Sequence, residues 1–565
     1  MKKRILNFVV SILSVGFSFS PALAKSSDVG FLVLAPDRGF LGNREVATIV
    51  DEFKRSHRAA LALVGRDYSG VEGEYSTYLR RAVEELKGGG ATEVVAIPLF
   101  PSQADPMLRK VLPLLPRYAS AGAIRVTASM QESHLFSQIL LDRVDALTQD
   151  PEQERLVILG IGATDEASES ILRGELQSLI DYVSRYRSFK EVQIGIYYDR
   201  EAETKLREKK NKEVDDQVIR TAAKKGETLV VPFFIGPRFD SHMSLTKWIE
   251  DKFKEIDLTY AGEEIVPHPN LLLWLKKTAN AYLPPSPERT GVVIMPHGAT
   301  QPYNDAVEAA IAPLRSHYKI EMAYGMADSE TIQQAVSRLE ADGIDRIIFV
   351  RMYSLSDQFK ETTEYILGLS KDLHSHGDHE GSPLAQIRSA ALFLTFGGYE
   401  EDPGIAEILH ERIVEISRDP SQETVILVAH GSEDDQVNSR WLASMNRQIE
   451  ALRKDLHCSK LKAIYPITVR EDWPEKRKEE VAKLKEMIEE GKKSGRVLLI
   501  SNRLRGAGPY KSLLEGVEIK EGEDYEINGK GFAPHPALTR WLEKGIEEAI
   551  AAMNSERPAV ASVAP

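Results

Sequence analysis

The chain has 565 residues, a formal net charge of −13, 42% hydrophobic and 28% charged residues. That is an ordinary globular composition for about three or four domains, and the acidic balance leaves no basic surplus to release counterions from phosphates, so general nucleic-acid binding is excluded. Cys458 is the only cysteine, which excludes an intramolecular disulfide and a multi-thiolate zinc or iron–sulfur cluster.

Lys2, Lys3 and Arg4 precede an apolar stretch over residues 5–19, and Pro21-Ala22-Leu23-Ala24 follows. A positive head, an apolar body and an A-x-A site are the parts of a cleavable signal peptide, and the apolar run is short for a bilayer span. Residues 1–24 are therefore expected to be removed on export, leaving a periplasmic or secreted protein. No later stretch is apolar enough to predict a transmembrane segment.

Residues 25–149 form a first predicted lobe. It opens with the apolar run VGFLVLAP ending at Pro36, and a short unbroken run of this kind reads as a strand buried on both faces. Leu79, Ala82, Val83 and Leu86 then follow i, i+3, i+4, i+7 spacing, an amphipathic helix ending near Gly90, before a strand from Val94. The second lobe, 150–288, opens with DPEQERLVILGIGATDE, with Ile161 after the apolar run, and closes on VPHPNLLLWL with His268 and Trp274. The third, 289–418, opens with GVVIMPHGAT and places His297 after the run. Its helix stripe is Ile332, Ala335, Val336 and Leu339 before Gly343, and a strand begins at Ile347. The fourth, 419–553, opens with DPSQETVILVAHGSEDD, with His430, and closes on APHPALTRWL with His535 and Trp541. Residues 554–565 are expected to be a disordered tail.

These phrases repeat in register. The second and fourth lobes match at an offset of about 269, and the first and third share the helix-and-strand pattern. The chain thus reads as a tandem duplication of a two-lobe unit. Strands alternating with helices predict parallel sheets, each lobe reading strand, helix, strand, helix, strand, then loop and helix. In such sheets ligands bind beyond the carboxyl ends of the strands, where His297 and His430 are expected to stand. A capping or buried histidine is the alternative; recurrence in two corresponding lobes favours function.

The ordered phrases MPHGATQPYNDAVEAAIAPL, GMADSETIQQAVSRLEADGIDRIIFV, TEYILGL, VAHGS, NRLRGAGPY and GKGFAPHPALTRW resemble the class II tetrapyrrole chelatases, the sirohydrochlorin cobaltochelatase and ferrochelatase-like family. The likeness spans most of residues 286–552 and, in eroded form, 29–285. It implies four Rossmann-like α/β lobes with parallel sheets, arranged as two chelatase-like bilobal units. It further implies insertion of a divalent metal, Co2+ or Fe2+, into sirohydrochlorin or a related tetrapyrrole, without a nucleotide cofactor. His297 and His430 would bind metal or accept pyrrole protons, for which imidazole, with a reference pKa near 6.5, is suited. Where the family carries a second histidine this chain has Asp357. With Glu361 and Glu364 it falls at i, i+4, i+7, either a metal-passing helix face or a solvated acidic one. Arg503, Arg505 and Lys511 form a basic, glycine-rich loop suited to macrocycle carboxylates. The loop with His374, His376 and His379 reads as metal capture or as a polar loop. His268 and His535 read as structural. The first unit, with Pro36 and Ile161 at the strand ends and His242 matching Tyr510, reads as degenerate. A non-catalytic periplasmic protein holding or delivering a tetrapyrrole or metal is the second reading.

Overall fold

The computed structural model describes residues 28–37, 39–65, 73–118, 124–235, 249, 251–372, 384–506 and 519–555. Residues 1–24, expected to be a signal peptide, His242, the loop with His374, His376 and His379, Lys511, and the tail from residue 556 lie outside the described residues. Asn554 and Ser555 close the last helix, Pro536–Ser555, whose apolar face (Leu538, Trp541, Leu542, Ile546, Ala549) is extended by partly buried Ile550 and Met553.

Each predicted lobe contains a parallel four-stranded sheet. The strands are β1 (Val29–Pro36), β2 (Ala59–Val64), β3 (Glu93–Pro98) and β4 (Arg125–Val126), then β5 (Arg155–Ala163), β6 (Glu191–Tyr198), β7 (Thr228–Pro232) and β8 (Thr259–Tyr260). They continue as β9 (Thr290–Met295), β10 (Lys319–Met322), β11 (Arg346–Arg351) and β12 (Leu392–Gly397), then β13 (Glu423–Ala429), β14 (Ala463–Thr468), β15 (Arg496–Ser501) and β16 (Glu526–Asn528). The order is the same in every sheet: second strand, first, third, fourth. The fourth strand of each sheet stands where the sequence predicts a loop before the closing helix. β4, β8 and β16, of two or three residues, are too short to show a period, and the six residues of β12 are mostly half-buried, without the unbroken burial of a central strand.

The first two sheets lie in one compact unit, up to Pro284, and the last two in a second, from Pro285 onward except Ala341–Gly343. Within the second unit the alternation along each strand separates two cores. Val293, Met295, Ile347 and Phe349 pack with the stripe Ile332, Ala335, Val336 and Leu339. Val292, Ile294, Ile348 and Val350 face a core shared with Val425, Leu427, Leu498 and Ile500 of the fourth lobe. The last helix belongs to that shared core. Its Trp541 ring meets Phe396 edge-on at 6.1 Å, Thr539 donates to the Ala310 carbonyl at 2.7 Å, and Gly545 leaves room for the Phe396 ring, which a β-carbon would meet at 2.3 Å. The first unit uses its Pro269–Asn280 helix similarly, with Asn280 Oδ1 3.1 Å from buried His57 Nε2.

The repeated phrases make repeated hydrogen bonds. Glu154 accepts from the Gln149 and Asp150 N–H groups at 2.9 and 3.2 Å, and Glu423 from those of Arg418 and Asp419 at 2.8 and 3.2 Å. In the Pro-His-Pro phrases, His268 Nδ1 accepts from Asn270 N–H at 3.1 Å and Nε2 faces Asp142 at 3.1 Å. His535 does the same with Ala537 N–H at 3.0 Å and Glu411 at 2.9 Å. Both rings are spent on starting a helix. Among the described residues no helix is long and apolar enough to cross a membrane.

Candidate functional site

With the first strand central and the second and third on either side of it, the strand order reverses between the first and third strands, which run parallel. Parallel α/β sheets leave a crevice at the carboxyl ends of those two strands. In the second unit His297 follows β9 and His430 follows β13, so both stand at such points.

The two rings have different partners. His297 is exposed, with Nδ1 2.7 Å from the Gly298 carbonyl. A carbonyl only accepts, so Nδ1 is the donor in that contact. His430 is half-buried, with Nδ1 2.8 Å from the Gly431 carbonyl and Nε2 2.9 Å from Asp472 Oδ2. Glu471 Oε1 lies 3.8 Å from the same nitrogen. Both ring nitrogens thus lie within hydrogen-bond reach of oxygen atoms. Trp473 stands edge-on at 5.7 Å and Trp441 lies at 6.5 Å, so the ring has aromatic walls.

The loops that hold His430 are tightly determined. Arg470 adopts a φ of +48° and donates to the carbonyls of Ser432 and Glu433. Glu471 is buried; its Oε1 accepts from Arg503, while Oε2 makes no hydrogen bond. The Trp441 Nε1, Thr468 Oγ1 and Ser501 Oγ atoms are likewise buried without hydrogen bonds. Thr468 and Ser501 are the last residues of β14 and β15. Those two atoms therefore lie at the carboxyl edge of the sheet, on strands that flank β13.

Asp357 corrects one expectation. The helix here is Lys360–Ile366, entered through Phe359 at a φ of +54°, so Asp357 precedes it and shares no helical face with Glu361 and Glu364. Instead Arg440 of the fourth lobe grips the Asp357 carboxylate with both terminal nitrogens, one at 3.0 Å. Those hydrogen bonds hold the carboxyl below its ordinary range. Buried Arg351 donates to the Ser356 and Gln358 carbonyls at 2.6 and 3.0 Å and fixes the loop. Glu364 pairs with Lys360 at 3.2 Å, and Glu361 is exposed.

Of the basic loop, Arg503 faces Glu471, and Arg505 donates to the Thr300 hydroxyl, three residues after His297. Tyr399 lies close to Arg503, and its hydroxyl is 3.0 Å from Ser354 Oγ. Burial pushes the Tyr399 phenol up to about 12 and raises Tyr303 and Tyr353 as well, so the three remain neutral hydroxyls. Sequence reasoning missed Arg440, Glu471, Asp472 and Trp473. The signal available was VREDWPE, a pair of acids directly after an apolar strand.

In the first unit Pro36 is the last residue of β1, paired with Val64. β5 runs on to Ala163, and Ile161 is paired with Tyr197. The position that carries His430 outside β13 is therefore inside the strand in the second lobe. Gly431, at a φ of +87°, would place a β-carbon 2.6 Å from Asn438 Oδ1 and 2.7 Å from Thr468 Cβ. Gly431→Ala is expected to cost about 1–3 kcal/mol in urea denaturation. Gly174→Ala, at a helical position with open space, is expected to lower nothing.

No family model and no curated protein matches the chain. Among solved structures it is similar to SirB from Bacillus subtilis with Fe3+, at 14% identity and a TM-score of 0.33, over 45% of this chain and 96% of that one. It is also similar to the sirohydrochlorin chelatase SirB from Bacillus subtilis subspecies spizizenii in complex with cobalt, at 14% identity and a TM-score of 0.30, over 43% and 90%. A multi-domain protein of Deinococcus radiodurans, described as structurally similar to chelatases, aligns at 14% identity and a TM-score of 0.31, over 48% and 56%.

Proposed function

We propose that the second unit inserts a divalent metal, Co2+ or Fe2+, into sirohydrochlorin or a related tetrapyrrole. On this reading the first unit is a degenerate copy of the same two-lobe ancestor, and the chain acts after export and removal of residues 1–24. The observation that carries the proposal is the pair of strand-end imidazoles with complementary partners. Insertion of M2+ releases two pyrrole protons. On this reading the exposed ring of His297 meets the metal or takes a proton through Nε2. A proton taken up at Nε2 of His430 is held by Asp472, with Glu471 alongside, while Nδ1 stays on the Gly431 carbonyl. Arg503, anchored on Glu471, with Arg505 and Lys511 are the positive groups this reading assigns to the macrocycle carboxylates. No nucleotide enters this scheme.

One observation favours the second reading, a protein that holds and delivers a tetrapyrrole or metal without catalysis. Asp357, standing where the family has a second histidine, is occupied by Arg440. Anaerobic mixing of the purified protein with sirohydrochlorin and Co2+, followed by absorbance against a no-protein blank, separates the two. Accelerated formation of the metallated macrocycle is the expected result. A spectral shift that stays stoichiometric with protein would replace catalysis by carriage.

A further inference from the structure

We infer that the second unit carries another divalent-metal site, formed by His410, Asp455 and Cys458. His410 lies near the end of the Pro403–Val414 helix, and Asp455 and Cys458 follow the Asp435–Leu452 helix, ahead of β14. A helix that leaves the carboxyl end of one strand and precedes the next ends at the amino edge of the sheet. The cluster therefore sits at the edge opposite His430.

One ligand atom from each of the three residues lies within 4.8 Å of the others, and His410 Nε2 is 3.1 Å from Asp455 Oδ1. Bonds of about 2.0–2.3 Å from one ion to nitrogen, oxygen and sulfur put such atoms roughly 3.3–3.8 Å apart, so the cluster needs to tighten by only about an ångström. Asp455 Oδ1 accepts the N–H groups of His457 at 2.7 Å and Cys458 at 3.1 Å, which fixes the carboxylate and leaves the ion to Oδ2. Backbone donors behind a ligating carboxylate are the usual outer support of a metal site. His457 Nε2, 2.9 Å from Ser417 Oγ, ties the same loop to the segment after the His410 helix. Cys458 is buried while His410 and Asp455 are half-exposed, which gives an apolar floor and an open side for entry and for a fourth ligand such as water. A nitrogen, oxygen and sulfur donor set suits a borderline ion, Zn2+ or Co2+. As the metal–sulfur bond forms, the thiol gives its proton to solvent.

The test uses the full mature chain carrying His297→Ala and His430→Ala, so that the strand-end site contributes no signal, titrated with Co2+ alone. Near-ultraviolet sulfur-to-cobalt charge transfer is expected at one equivalent. With a single sulfhydryl in the chain, that band identifies Cys458. Cys458→Ser should abolish it, Zn2+ should displace it, and His410→Ala, at a half-exposed position where folding is not at stake, should weaken Co2+ binding at least about tenfold. Absence of the band, or a band whose affinity His410→Ala leaves unchanged, overturns the site. Neither outcome bears on insertion activity, which is measured separately on the unsubstituted chain.

Discussion

Replacing His430 with alanine is expected to slow metal insertion by about a hundredfold, with the denaturation midpoint near that of the unsubstituted chain. The ring lies outside β13 and is half-exposed, so its loss removes a proton acceptor rather than core packing. His297→Ala should also damage insertion, with a different signature. On the proposed reading its Nε2 meets the metal, so the loss should appear more in the metal concentration needed, and that of His430 more in the rate at saturation. Initial rates at saturating macrocycle over a range of Co2+ concentrations separate the two. If both variants insert metal at near the unsubstituted rate, the strand-end histidines are not the working groups.

Glu423→Ala is expected to destabilise the second unit by about 3–5 kcal/mol, as for breaking a buried charged network at one partner. The side chain is fully buried, and it accepts from Ser417, from the N–H groups of Arg418 and Asp419, and from Arg496. Burial alone would raise its carboxyl, but these hydrogen bonds outweigh burial and hold it below the ordinary range. A depressed folded value stabilises fully above the unfolded value, about 4.3, and that stabilisation is lost as pH falls through the folded value. The gap between the unsubstituted chain and Glu423→Gln in urea denaturation should therefore hold at neutral pH and close below about pH 4. A gap that widens on acidification would contradict the assignment.

Much of the architecture was legible because parallel strands buried on both faces announce themselves. VGFLVLAP, RLVILG, GVVIM and TVILVA need no partner to be recognised, and the stripes at Leu79 and Ile332 carry their own period. The lobes' recurrence was legible for the same reason, and Glu154 and Glu423 show what the repeated acids are for. The site was legible only at its histidines. Asp472 reaches His430 across 42 residues, and Arg440 reaches Asp357 across 83, from another lobe. Such pairings leave no local periodicity. The misplaced acidic face has a local cause: the i, i+4, i+7 spacing was real, but Phe359 takes a left-handed backbone and the helix starts after Asp357.

The last helix has a consequence measured in time. The strands of the third sheet are complete at Gly397, yet the Pro536–Ser555 helix that helps cover one face of that sheet begins about 140 residues later. At roughly 5–20 residues per second of synthesis, that face waits about 7–30 seconds for its cover. During the wait Val292, Ile294, Ile348 and Val350 sit on a sheet whose apolar side is unfinished, whatever the stability of the completed fold. The third lobe is thus exposed to aggregation by delay, and slower elongation between residues 397 and 536 harms it in a way that no equilibrium measurement on the finished protein records.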